Sequence, residues 1–141
     1  MSEKNAYSIL RTGIAGKRTR IDRIENLCVL GMPDVNLCIE GNEAWIEIKS
    51  PKEPKKSTTP LFGSNHKLEL EQRNWIKRQI DSGGKAFVLI RSDKRCMLIC
   101  GSHADVINEK TVEELIAIAL WHAPVPTKKE HWAKLRETLS C

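Results

Sequence analysis

Three side chains, Asp34, Glu47 and Lys49, have types and spacing that suit chemistry. Glu47 and Lys49 lie two apart, so on a β-strand both point to one face. If Asp34 arrives beside them from a partner strand, diagonal cross-strand positions lie roughly 7 to 8 Å apart, and two carboxylates at that spacing can share one small divalent cation. Mg²⁺ prefers hard oxygen ligands, keeps several waters and is commonly held by one or two carboxylates plus a substrate phosphate. The backbone carbonyl of Ile48 offers a further oxygen. A lysine next to such a cation can hydrogen-bond an attacking water or the charge developing on phosphorus, while the metal acts as a Lewis acid. The expected chemistry is phosphodiester hydrolysis. The competing account is the solvated face of an ordinary hairpin, with an Asp–Lys cross-strand pair contributing under about 1 kcal/mol.

The elements that must position these groups follow from the surrounding pattern. Residues 34–40 and 43–49 flank Gly41-Asn42, and a two-residue loop with glycine first fits a type II′ hairpin turn. That turn makes Asp34 face Lys49, Val35 face Ile48, Asn36 face Glu47 and Leu37 face Ile46. One face is then wholly apolar (Val35, Leu37, Ile39, Ala44, Ile46, Ile48), and the other gathers Asp34, Asn36, Glu47 and Lys49. Ser2 can cap a short helix reaching about Arg11, with Ala6, Ile9 and Leu10 as its apolar stripe and Gly13 and Gly16 ending it. A loop then leads to a strand through residues 27–30. Residues 51–66 have three prolines, three lysines and no periodicity, which predicts a basic, mobile loop. Residues 67–82 predict a helix with Leu68, Gln72, Trp75, Ile76 and Ile80 on one stripe, ended by Gly83-Gly84.

Residues 86–90 and 96–100 predict buried strands joined by Ser92-Asp93-Lys94. Two Thr-x-x-Glu patterns, Thr111 with Glu114 and Thr127 with Glu130, predict capping boxes opening helices that reach about Trp121 and Leu139. Gln72 is unusual on a stripe meant for burial, because a buried amide must find partners. A satisfied core glutamine and a role at the acidic site both account for it.

A length of 141 residues predicts one domain, residues 1–141, with a core over about 3–100 and C-terminal helices over about 109–140. Apolar residues at 40% and charged residues at 29% exclude disorder and fibrous repeats. No apolar run suffices to cross a membrane, and the start lacks a secretion-type apolar segment, so a cytoplasmic location is expected. Five cysteines (Cys28, Cys38, Cys96, Cys100, Cys141), without C-x-x-C spacing, are expected to be reduced and mostly buried. The four histidines have no metal-binding spacing. The net charge of +5 points weakly to nucleic acid. Six basic residues, Arg18, Arg20, Arg23, Lys52, Lys55 and Lys56, flank the acidic trio on both sides in sequence and are the candidate phosphate contacts. Aromatic residues are sparse there, which favours backbone reading over base stacking.

Taken together, Gly31-Met-Pro-Asp34-Val, Trp45-Ile-Glu47-Ile-Lys49-Ser-Pro51 and Gln72-Arg-Asn-Trp75-Ile, followed by Gly83-Gly84 and an apolar strand, resemble the PD-(D/E)XK nuclease superfamily. More narrowly they resemble its VRR-NUC branch, the virus-type replication-repair nucleases, over about residues 3–91. The resemblance implies an α/β restriction-endonuclease-like fold with an αβββαβ core and a mixed sheet flanked by helices. It also implies Mg²⁺ or Mn²⁺ at Asp34 and Glu47, Lys49 as catalytic lysine, a role for Gln72 near the site, and a glutamate from the first helix. Glu3 fits that position best, with Glu25 as the competing candidate. The implied activity is a metal-dependent DNA endonuclease acting on branched DNA such as four-way (Holliday) junctions. Small stand-alone members are typically viral and dimeric, which implies a homodimer and, for a phage-encoded chain, the host cytoplasm. The region from Trp121 to Trp132 offers an apolar helix pair to a second copy. The alternative is a non-catalytic nucleic-acid-binding or assembly module on the same fold, although such relatives usually lose a ligand or the lysine.

Overall fold

Alternation decides the centre of the molecule. In the computed structural model, which describes residues 2–25, 28–63 and 66–140, Val35, Leu37, Ile39, Ala44, Ile46 and Ile48 are all essentially buried on one face of a hairpin. Its strands are β2 (Val35–Ile39) and β3 (Asn42–Lys49). The turn differs from the expected one. Glu40 and Gly41 both take positive φ, 53° and 83°. Positive φ at both central positions defines a type I′ turn, whose twist matches that of the strands. Val35 therefore pairs with Ile46, Leu37 with Ala44 and Ile39 with Asn42. Every expected pair is displaced by two residues, and because strand periodicity is two, each side chain keeps its expected face.

The sheet has six strands in sequence order. β1 (Thr19–Arg23) lies antiparallel along β2, with Thr19 opposite Ile39 and Arg23 opposite Val35. This corrects the strand expected over 27–30: Cys28 to Leu30 form bends and turns, Leu30 is 74% exposed, and Leu27 lies outside the described residues. β4 (Ala86–Arg91) runs parallel to β3, and β5 (Arg95–Cys100) returns antiparallel. The last strand, β6 (Trp121–Pro124), occupies a stretch expected to end a helix.

Helix α1 (Glu3–Ile14) starts on Ser2, whose hydroxyl accepts from the Asn5 N–H at 3.2 Å. It continues through Gly13 rather than ending there. A side chain at Gly13 would run into the Trp132 indole of α4 (Lys129–Leu139), so this glycine permits two helices to approach closely. These two helices, with Trp121 and Ala123 of β6, close the apolar face of the β2–β3 hairpin. Helix α2 (Leu70–Asp81) and α3 (Val112–Ile118) cover the opposite face over β3 to β5, where Ile76 and Leu115 join Val88, Ile90, Met97 and Ile99. The order from α1 to β4 is αβββαβ.

The Thr111 capping box forms, its hydroxyl and the Glu114 carboxylate each accepting the other residue's N–H. The second expected box does not. The Thr127 hydroxyl donates to the Pro124 carbonyl, and α4 instead begins at Lys128, whose N–H goes to His131 Nδ1 at 3.2 Å. Trp121 and Trp132 stack with centroids 5.6 Å apart and are each 7% exposed, so they belong to the core and present no apolar pair to a second copy. Among the described cysteines only Cys96 is buried, against the expectation of mostly buried thiols, and burial pushes it up to about 12. No helix among the described residues is long and apolar enough to cross a membrane.

Candidate functional site

The type I′ register decides how the acidic groups meet. Continued one step past Val35 and Ile46, it sets Asp34 level with Glu47 instead of Lys49. Asp34 accepts the Ile48 N–H on Oδ2 at 3.0 Å, which fixes its carboxylate beside β3. Glu47, 2% exposed, points to the α2 side of the sheet with Lys49, whose Nζ lies 3.8 Å from Glu47 Oε2.

Gln72 completes the group from α2. Its amide oxygen accepts the Glu69 N–H at 2.9 Å, capping the helix start, and its amide nitrogen donates to Glu47 Oε2 at 3.0 Å. The half-buried amide is thus paired with backbone at the helix start and with the Glu47 carboxylate. Helix α2 is held against this corner by Gly31, whose φ of +82° and hydrogen-only side chain let the Gly31-Met-Pro-Asp34 segment press on the Glu71 carbonyl.

The electrostatics are unbalanced. Glu47 Oε2 has two partners, while Oε1 is buried with none. An orphaned buried carboxylate oxygen is costly. Burial, followed by the neighbouring Asp34, raises the Glu47 carboxyl to about 9; Lys49 opposes this and Glu3 adds to it. With both acids ionised, two carboxylates and one lysine would leave the site one positive charge short, a deficit that a hard divalent cation would satisfy. Asp34 and Glu47 could hold it. Among the described residues no three His, Cys, Asp or Glu side chains converge as a ready-made metal cluster, so a cation here would need backbone oxygen, water or substrate to complete its ligands.

Glu3, in the first turn of α1, adds its charge to the surroundings of Glu47 and lies 3.9 Å from His66 Nδ1. Glu25 is exposed beyond the end of β1 and is not among the groups acting on Glu47.

The six basic residues do not form one patch. Arg20 lies on the site's face of the sheet, donating to Asn36 Oδ1 at 2.6 Å and pairing with Asp22 at 2.6 Å. Arg18 is exposed in the turn before β1, and alternation turns Arg23 toward the other face. Lys52 lines a hollow of about 240 Å³ with Pro51, Phe62 and His66. Lys55 and Lys56 lie farther along, beside the β4–β5 turn. The expected loop is irregular in backbone, but Leu61 and Phe62 are buried at 3% and 2%, which anchors it.

No protein-family model matches the sequence, and no curated protein matches it. Among solved structures the chain is similar to Hjc, a Holliday junction resolvase from the archaeal hyperthermophile Archaeoglobus fulgidus. The TM-score is 0.57 at 16% identity, over 94% of this chain and 96% of that one. The fold is thus restriction-endonuclease-like: a mixed six-stranded sheet between two pairs of helices.

Proposed function

We propose that this chain is a metal-dependent endodeoxyribonuclease, selective for branched DNA such as four-way junctions, related to the VRR-NUC branch of the PD-(D/E)XK nucleases. The observation that carries this is the pairing of Asp34 with a buried Glu47 whose Oε1 has no partner, beside Lys49. The fold shared with a junction resolvase supports the choice of DNA structure.

In this reading Asp34, Glu47 and the Ile48 carbonyl would hold Mg²⁺ or Mn²⁺, which would supply Lewis acidity for phosphodiester hydrolysis. Lys49 donates to the attacking water or to the phosphoryl oxygen as charge builds there. Gln72 fixes the Glu47 carboxylate by its bond to Oε2, which leaves Oε1 available to a cation. Glu3 would help to hold a water or the cation. Arg20 contacts a phosphate next to the cut.

Cleavage of supercoiled, nicked, flap, linear and four-way-junction DNA in Mg²⁺, Mn²⁺ or EDTA tests this. Metal-dependent cutting that favours the junction is expected. Intact DNA in every metal, with binding retained, would instead establish a non-catalytic binding module. Two cuts on a junction need two sites, so a homodimer is part of the proposal, and sedimentation of a monomer that still resolves junctions would remove it.

A further inference from the structure

A second acidic residue, six positions after Glu47, sits in a wholly different environment. Glu53, whose side chain is 6% exposed, accepts on Oε2 from Ser92 Oγ at 2.6 Å and from Arg95 Nε at 2.8 Å. Its own N–H donates to Asp93 Oδ1 at 2.9 Å. Ser92, 1% exposed, also accepts the N–H groups of Lys94 and Arg95. Side chain and backbone of one loop residue are therefore both fastened to the β4–β5 turn.

This fastening determines where lysines stand. Glu53 lies inside the run Lys52-Glu53-Pro54-Lys55-Lys56. Lys55 and Lys56 share a hollow of about 270 Å³ with Lys94 and Arg95, and Glu113 lies on its rim. Lys52 is close enough to help hold the Asp93 carboxyl below its ordinary range, after the Glu53 N–H and along with Lys94. With Arg95 neutralised by Glu53, four lysines face two acids, Asp93 and Glu113.

The patch lies at the same end of the sheet as the acidic centre. Lys49 pairs with Ile90 in the parallel β3–β4 ladder, and the β4–β5 turn follows directly after Arg91. β5 is two strands from β3, about 10 Å at the usual strand spacing. Along a duplex axis that span corresponds to about three base-pair steps.

We propose that Lys52, Lys55, Lys56 and Lys94 form a rigid second contact to the phosphate backbone of the DNA arm leaving the Asp34–Glu47 centre, with Glu53 as the residue that positions it. This rests on the nuclease reading only in taking the ligand to be DNA. A loop ordered before binding loses less freedom when it binds, so the pin strengthens binding although it introduces a negative charge. The two effects of Glu53 have opposite signs, which makes the proposal testable.

The experiment is anisotropy of a fluorescent four-way junction, and of a linear duplex, titrated in EDTA at several salt concentrations. Lys94→Ala and Lys55→Ala are each expected to weaken both DNAs about eightfold near 0.1 M salt and to lower the salt slope by about 1. Lys134→Ala, exposed on α4 across the sheet, is expected to bind as wild type. Glu53→Ala releases the loop and weakens binding. Glu53→Gln keeps acceptor and shape while losing the charge, and binds as well as wild type or better. Tighter binding by Glu53→Ala, or lysine variants indistinguishable from Lys134→Ala, overturns the proposal and leaves the nuclease reading intact. If Glu53→Ala does not fold by circular dichroism, the two surface lysine variants decide. A wild-type chain with no affinity for either DNA overturns the reading beneath it.

Discussion

Glu47 and Glu53 are two nearly buried carboxylates on one stretch of chain, and their surroundings are opposite. Glu53 has a hydroxyl and a guanidinium donating to its Oε2, and its own N–H donates to the Asp93 carboxylate. Glu47 has an amide and a lysine at 3.8 Å on one oxygen, nothing on the other, and a second carboxylate opposite. A buried charge whose partners are all supplied by the fold does structural work. A buried charge left incomplete is a position where an external ligand can contribute binding energy, and such perturbed groups cluster at functional sites.

The largest losses of activity are expected at the incomplete site. Asp34→Ala is expected to abolish cleavage, and Lys49→Ala to lower it by about 10² to 10³-fold, with DNA affinity retained, as gel assays and anisotropy would record. A Lys49→Ala enzyme that cuts like wild type would remove the lysine from the chemistry. Gln72→Ala acts through Glu47, so a loss of about 10 to 100-fold in metal affinity is expected by calorimetry, without loss of fold. At the complete site the sign is reversed: Arg95→Ala strands Glu53 and is expected to lower stability by up to about 3 kcal/mol in urea melts while the chemical step survives.

The smallest effect is a dependence of stability on pH. The raised Glu47 carboxyl makes the folded, metal-free chain bind a proton that the unfolded chain releases from about pH 4.5, so its stabilising contribution is present below that value and is lost as pH rises toward about 9. Metal-free wild type should therefore melt at a lower temperature at pH 9 than at pH 5 relative to Glu47→Gln, which lacks the titrating group. Parallel melting profiles for the two would show that Glu47 is not held protonated by its surroundings.

Much of this arrangement was legible before any coordinates. The faces of β2 and β3 were readable because alternation is insensitive to a two-residue slip. The register was not, since Gly41 fits either central position and the left-handed Glu40 has no sequence signal. That slip mattered for the site: it exchanged Lys49 for Glu47 opposite Asp34. β1 was missed because an edge strand of mostly exposed residues alternates weakly, whereas the apolar run at 27–30 resembles a strand but includes an exposed Leu30. β6 was hidden by the expectation that the helix opened at Thr111 would continue to Trp121; it stops at Ile118, and Trp121 and Ala123 then alternate inward. Glu53 gave no signal, because its partners lie about 40 residues away in a turn whose side chains look merely polar.

The Gln72 amide joins two events that are usually separate. Its oxygen closes the first turn of α2 and its nitrogen holds Glu47, so fraying of that helix end and disorder of the acidic centre are one local opening. The assembly of the acidic group is thus expected to show in the lifetime of the Glu69 amide proton, twenty-two residues from Glu47 in sequence, and a slow-exchanging signal at that position would gauge how assembled it is.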